Sequence, residues 1–267
     1  IIHNQNRNCR YEINVLSEFI SNENMMLARK QLESHSNFTI NFVILKDFDS
    51  SKFFLYSYMS ISTYYRFYIP QLFSRYDRIL YLDSDLIVDA DISDFASLDF
   101  DDKLAICSPS PFIRNKVLKG DDEKFSLNYF THVLKMPDPL QYFNAGVMLY
   151  NIKKMNEIDI TTKLFEALED IKEPFLQDQD ILNSVLSNNG GVKLISSKYN
   201  MTRTFVITAK RLFLERLKEI FRISKKNNWF FIYHYVGKDK PWMTKRSDGL
   251  LFVKYAKMSP FYKQIFK

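Results

Sequence analysis

Two carboxylates and one imidazole carry the strongest chemical signal in this sequence. The apolar run Arg78-Ile79-Leu80-Tyr81-Leu82 leads straight into Asp83-Ser84-Asp85. Side chains two apart on a strand share a face, so Asp83 and Asp85 can aim at one point. At the carboxyl end of a strand in an open α/β sheet, that point is where ligands bind. A carboxylate pair there can hold a hard cation that also touches a diphosphate. A polar turn after a strand would look the same. His234 closes a second apolar run, Ile232-Tyr233-His234, either as a core histidine or as a third ligand. Two carboxylates and one imidazole suit Mn²⁺ better than Mg²⁺ or Ca²⁺. Past the histidine, Gly237 would let backbone approach a phosphate, Lys240 could cover diphosphate charge, and Pro241 would stiffen the turn.

Three further groups are candidates for substrate contact. Asn144-Ala145-Gly146 opens an apolar run and offers amide donors with little bulk, for a ligand or for a bulge and close packing. Gln177-Asp178-Gln179-Asp180 opens an amphipathic segment, where Asp178 can cap a helix or help line a sugar pocket. Arg66, in Thr63-Tyr64-Tyr65-Arg66, can bind a phosphate or a carboxylate, or make a surface ion pair.

The elements that must position these residues alternate between strand and helix. Strand patterns cover Tyr11–Leu16, Thr39–Leu45, Arg78–Leu82, Leu104–Cys107, Tyr142–Tyr150 and Trp229–Tyr235. Helical patterns begin at Ser21 and cover Ser62–Phe73, Thr161–Asp170 and Gln179–Leu186, with Pro70 expected to kink or end the second. Ser108–Leu140 is expected to be a long irregular binding loop or lid. The alternation predicts an α/β fold with a mainly parallel sheet.

Composition narrows the function classes. With 267 residues, 46% hydrophobic and 25% charged, the chain suits one globular domain. No apolar stretch is long enough to span a bilayer, and no secretory leader pattern stands at the start. Two cysteines, Cys9 and Cys107, fit a reducing compartment, so a cytoplasmic location is expected. The net charge of +6 is not gathered around a nucleic-acid-reading motif, which argues against nucleic acid as a partner. No Gly-rich phosphate loop supports a nucleotidyltransferase. Phe252 to Lys267 interleaves lysines with aromatic residues and contains no acid, as a membrane-surface helix or a docking helix would.

Five motifs together resemble glycosyltransferase family 8, which includes bacterial lipopolysaccharide galactosyl- and glucosyltransferases. They are Thr63-Tyr64-Tyr65-Arg66, Leu80-Tyr81-Leu82-Asp83-Ser84-Asp85, Tyr142-Phe143-Asn144-Ala145-Gly146-Val147, Asp178-Gln179-Asp180-Ile181-Leu182-Asn183 and His234 through Trp242, in that order. The resemblance implies a GT-A fold, a Rossmann-like α/β arrangement with a mixed, mostly parallel central sheet flanked by helices. It implies a catalytic domain over residues 1–246, with the family's first strand missing, and a basic-aromatic tail over 247–267. It also implies a retaining hexosyltransferase that takes galactose or glucose from UDP-Gal or UDP-Glc to a hydroxyl of an acceptor glycan. Asp83, Asp85 and His234 would then hold Mn²⁺, with Mg²⁺ as the alternative. Ser84 would lie against the nucleoside, and Arg66 would contact the donor. Asn144 and Ala145 would line the sugar pocket, and Gly237 and Lys240 would hold the diphosphate. Asp178 would bind sugar hydroxyls and Gln179 would sit beneath the anomeric carbon. Such an enzyme would work in the cytoplasm, with the tail touching the anionic inner face of the membrane. A catalytically silent UDP-sugar-binding or glycan-binding domain is the alternative.

Overall fold

In the computed structural model, the described residues are 1–46, 60–202, 231–243 and 249–265. The expected domain boundary at 246/247, the first residues of the last expected strand (Trp229 and Phe230), and Phe266 and Lys267 lie outside them.

Strand β1 (Tyr11–Ser17) and strand β2 (Phe38–Ile44) pair in parallel, joined through helix α1 (Asn22–Lys30). Ser21 caps α1 by accepting the Asn24 N–H, which satisfies one of the free donors of the first turn. A 3₁₀ helix, Ile61–Tyr68, runs into α2 (Ile69–Leu72). The expected single helix over Ser62–Phe73 is therefore two. Pro70 opens α2 rather than ending a helix, because its missing N–H costs nothing in a first turn.

Next come β3 (Arg78–Leu82), β4 (Leu86–Val88), α3 (Ser93–Ala96), β5 (Ala105–Pro109) and α4 (Pro111–Lys119). They are followed by β6 (Phe143–Asn151), α5 (Ile152–Glu157), α6 (Ile160–Asp170) and α7 (Asp178–Asn188). The order ends with β7 (Val192–Leu194), β8 (Met201–Thr202), β9 (Ile232–His234), α8 (Leu250–Ala256) and α9 (Tyr262–Ile265). The stretch expected to be irregular, Ser108–Leu140, instead holds α4, a π turn at Tyr129–Val133 and a short 3₁₀ turn. Its Phe130, Leu134 and Met136 are core residues. Ser110 caps α4, Pro111 stands in its first turn, and Gly120 ends it at φ +64°.

The central sheet has the order β3-β6-β5-β7. Three of its strands run one way, and β6 runs against them between β3 and β5. Residues Ala145 to Tyr150 of β6 are all buried, so this strand sits in the densest part of the core, covered by α5, α6 and α7. A second sheet, β4-β9-β8, pairs β9 antiparallel to β4 and parallel to β8. The architecture is α/β with mixed sheets, and β6 and β4 are the antiparallel members.

Among the described residues, β1 pairs only with β2 and β3 only with β6. A cleft of about 1460 Å³ lies between the two strands, lined along β1 from Tyr11 to Leu16 and along β3 from Arg78 to Leu82. Among the described residues, no strand joins β1 to β3 across it. Helix α8 docks on the body: Phe252 packs on Tyr235 and Trp242, and the Tyr255 hydroxyl contacts Asp89 and Asn4. Among the described residues, no helix is long and apolar enough to cross a membrane.

Candidate active site

The two sheets meet at Asp83-Ser84-Asp85. The Asp83 N–H donates to Gly146 O at 2.8 Å and so continues the β3–β6 ladder. Two residues later, Asp85 O accepts from Tyr235 N–H at 2.9 Å and joins the β4–β9 ladder. The turn between sheets swings both carboxylates toward the end of β9. There, His234 Nε2 stands 3.1 Å from Asp85 Oδ1 and 3.5 Å from Asp83 Oδ2. One ligand atom from each of the three residues lies within 4.8 Å of the others.

Each carboxylate offers one oxygen to this point and has the other held away. Asp83 Oδ1 accepts from Arg66 Nη2 at 2.9 Å and from the Tyr81 hydroxyl at 2.6 Å. Asp85 Oδ2 accepts from Lys240 Nζ, which also donates to Tyr235 O at 2.8 Å. Burial alone would push the Asp85 carboxyl up. Hydrogen bonds and charge from His234 and Lys240 outweigh it and hold the group down at about 2. Backbone space is made for the cluster at Gly146, where a Cβ would lie 2.1 Å from His234 Cε1 and 2.7 Å from Asp83 Oδ2. Two oxygens and one imidazole nitrogen on one point, in a cradle that excludes any side chain, fit a divalent cation.

Arg66 is buried and ties this cluster to the start of α7. Its Nη1 donates to Ala145 O at 2.6 Å, its Nε donates to Thr63 O at 3.0 Å, and its guanidinium lies 4.5 Å from the Tyr81 ring centroid. An ion pair at 3.0 Å links Arg66 Nε to Asp178 Oδ2. Burial opposes the Arg66 charge, but Asp178 and Asp83 override it and hold the pKa well above the ordinary value. The sequence expectation of a phosphate-binding arginine thus meets an arginine already engaged by two carboxylates and two carbonyls, with one edge on the cleft.

Asp178 is also buried. Its Oδ1 accepts from the Thr63 hydroxyl. Its Oδ2 accepts no aligned hydrogen bond, because the nearby Arg66 N–H is directed at Thr63 O. Burial pushes this carboxyl up to about 6 against the pull of Arg66 and Thr63. Asp178 is 2% exposed and lies off the lining of the cleft, beside Arg66. The side chain of Gln179 spans two elements: Oε1 accepts from Ala145 N–H at 3.0 Å, and Nε2 donates to the Tyr142 hydroxyl at 3.2 Å. Tyr142 and Tyr129 both donate to buried Asp180, at 2.5 and 2.6 Å, and the Leu176 N–H adds a third bond at 2.8 Å.

Of the remaining expected residues, Asn144, Ser84 and Lys240 border this centre. Asn144 Oδ1 accepts from Gly146 N–H at 3.0 Å and from Asn200 Nδ2 at 2.7 Å. Ser84 is exposed and lines the cleft, as Lys240 does. Gly237 is exposed at φ +88°, with nothing near a would-be Cβ, so its backbone angle rather than crowding calls for glycine. Reading the sequence gave no role to Asn200, Tyr81, Thr63 or the Tyr129–Tyr142–Asp180 group, while the lack of bulk read at Gly146 is what the cluster uses. Tyr81 and Gly146 lie inside motifs already picked out. Asn200 gives no local signal beyond a glycosylation-like triplet, and its 2% exposure leaves no room for a glycan.

The sequence and the fold have counterparts among known proteins. A lipopolysaccharide 1,2-glucosyltransferase from Escherichia coli is 30% identical over 187 residues, covering 68% of this chain and 50% of the relative. A lipopolysaccharide 1,3-galactosyltransferase from Salmonella typhimurium is 27% identical over 237 residues, covering 85% of this chain and 63% of the relative. The chain thus spans about half to two thirds of the length of these relatives. The galactosyltransferase LgtC, solved with donor and acceptor sugar analogues, superposes with a TM-score of 0.72 at 25% identity, over 92% of this chain and 83% of LgtC. The fold is accordingly that of the GT-A glycosyltransferases. The sequence profile of "Glycosyl transferase family 8" matches residues 1–246, and on that match the chain belongs to this family.

Proposed function

We propose that this chain moves a hexose, galactose or glucose, from a UDP-sugar to a hydroxyl of an acceptor glycan, with retention at the anomeric carbon and with Mn²⁺ or Mg²⁺ held by Asp83, Asp85 and His234. The observation that carries the proposal is the convergence of one oxygen from each aspartate on His234 Nε2, with the other oxygens fixed by Arg66, Tyr81 and Lys240. A bound cation supplies charge neutralisation for the departing diphosphate. Lys240 adds positive charge beside the same point, and the cleft beside Ser84 accommodates the nucleoside. Asp178 Oδ2 takes a donor-sugar hydroxyl, and Ala145 bounds the sugar pocket with Asn144. Both Asp178 and Asp180 are buried and held by hydrogen bonds. That makes each a poor covalent nucleophile and favours attack by the acceptor hydroxyl on the face the diphosphate leaves, with Gln179 as the nearby amide. The relatives named for lipopolysaccharide glucosyl and galactosyl transfer support an acceptor in a bacterial surface glycan. Contact with an anionic membrane in the cytoplasm belongs to the same proposal. In α8 and the turn after it, Leu250, Lys254, Lys257 and Met258 are exposed, while Phe252 and Tyr255 face the body.

UDP release from UDP-Gal and UDP-Glc, with and without Mn²⁺ and an acceptor glycan, tests the proposal. One donor should turn over in a Mn²⁺-dependent way, and Asp83→Asn should lower the rate at least about 100-fold. Because Asp83 also receives Arg66 and Tyr81, the same variant should lose about 1–3 kcal/mol of stability. Binding of a UDP-sugar without turnover on any acceptor would point instead to a silent UDP-sugar-binding domain.

A further inference from the structure

We propose that Asn200 is a positioning residue that fixes the tautomer of His234, placing the proton on Nδ1 and leaving the Nε2 lone pair to face Asp83 and Asp85. The inference rests on reading that cluster as a cation site. It can be derived without assuming how any side-chain amide is oriented. A backbone N–H can only donate. The Gly146 N–H lies 3.0 Å from one amide atom of Asn144, so that atom is the oxygen, Oδ1. An amide atom of Asn200 lies 2.7 Å from the same oxygen and must be a donor, Nδ2. The other amide atom of Asn200 is then its oxygen, an acceptor, and it sits 2.9 Å from His234 Nδ1. The Nδ1 atom must therefore carry a hydrogen.

Donation thus runs from the imidazole on β9 to Asn200 and from Asn200 to Asn144, whose oxygen also takes the main-chain N–H of Gly146 on β6. Asn200 lies just before β8 and is 2% exposed, and His234 is 3% exposed. Water is poorly placed to supply a competing partner to either group. In the neutral ring that a cation would bind, a proton on Nδ1 leaves the unshared pair at Nε2, 3.1 Å from Asp85 Oδ1 and 3.5 Å from Asp83 Oδ2. In that form three electron-rich atoms crowd one point, and a cation among them relieves their repulsion. Groups that orient a ligating imidazole in this way typically change metal affinity about 10- to 100-fold when removed.

The test uses the whole chain labelled with ¹⁵N-histidine, together with Mn²⁺ titrations followed by electron paramagnetic resonance. In the wild type with Mg²⁺, the Nδ1 resonance of His234 should show a directly bonded proton. Asn200→Leu removes the acceptor at similar volume, so His234 should populate the Nε2–H form and the Mn²⁺ dissociation constant should rise about 10- to 100-fold. Asn200→Asp gives up the donor to Asn144 Oδ1 but keeps an acceptor toward Nδ1, the contact that sets the tautomer. It should retain the Nδ1–H form and bind Mn²⁺ within about threefold of wild type, well inside the loss expected when a ligand-orienting partner is removed. An Nε2–H tautomer in the wild type overturns the proposal by itself, even if Asn200→Leu fails to fold. Unchanged Mn²⁺ affinity in a folded Asn200→Leu protein overturns it too. A wild type with the Nδ1–H form but no Mn²⁺ binding would instead refute the cation reading and leave the tautomer assignment standing.

Discussion

The cluster at Asp83, Asp85 and His234 depends on a side chain that is absent. No rotamer adjustment moves a Cβ, so a methyl at Gly146 must displace His234 or Asp83. Gly146→Ala should therefore weaken Mn²⁺ binding at least about tenfold, measured by the same titration; unchanged affinity would remove Gly146 from the site. Asp85 makes a second prediction. Its folded pKa of about 2 lies below the ordinary 3.8. The unfolded chain therefore takes up this proton first as pH falls. The stabilisation is complete above about pH 4 and fades between about 4 and 2. Denaturant melts of metal-free protein should show Asp85→Asn less sensitive to acid across that window than wild type; equal sensitivity would place the acid response elsewhere. The aspartates and the histidine were legible because their types and strand-end positions point to cation chemistry. Asn200 was not, because its role comes only from a contact across 34 positions.

At the scale of elements, the sequence misleads where composition outweighs caps. Ser108–Leu140 is rich in proline, lysine and aspartate and reads as a loop. Yet Ser110, Pro111 and Gly120 mark the two ends of α4, and those signals were available. The Tyr129 turn was harder to see. It is fixed by a buried hydrogen bond to Asp180 on a helix far along the chain. The start of α1 likewise follows local chemistry, with Ser21 as its cap. Gly120→Ala adds a Cβ in open space, so strain at φ +64° alone should cost about 1–2 kcal/mol in chemical denaturation. Asp180→Ala strands two tyrosine hydroxyls and one backbone N–H. It should cost about 3 kcal/mol or more and lower turnover through the loosened Tyr142–Gln179 contact. A stable, fully active variant would contradict that role.

For the molecule as a whole, alternation of strand and helix was enough to give the α/β class, but not the reversal of β6 or the second sheet. Strand direction is set by pairing partners distant in sequence, which one sequence does not display. The cleft between β1 and β3 has a consequence of its own. The Tyr11 N–H and the Ser17 carbonyl bond toward β2, so Glu12, Asn14 and Leu16 turn their peptide groups the other way. On β3, Asp77 and Asp83 bond toward β6, leaving Arg78, Leu80 and Leu82 turned outward. Deuterium uptake should therefore alternate along both strands, fast at these even positions and slow at the odd ones between them. Among the described residues these two rows have no strand partner, and such rows are a template for any extended chain that comes within reach. A short peptide able to lie along either row should slow uptake at the even positions and leave the odd ones unchanged.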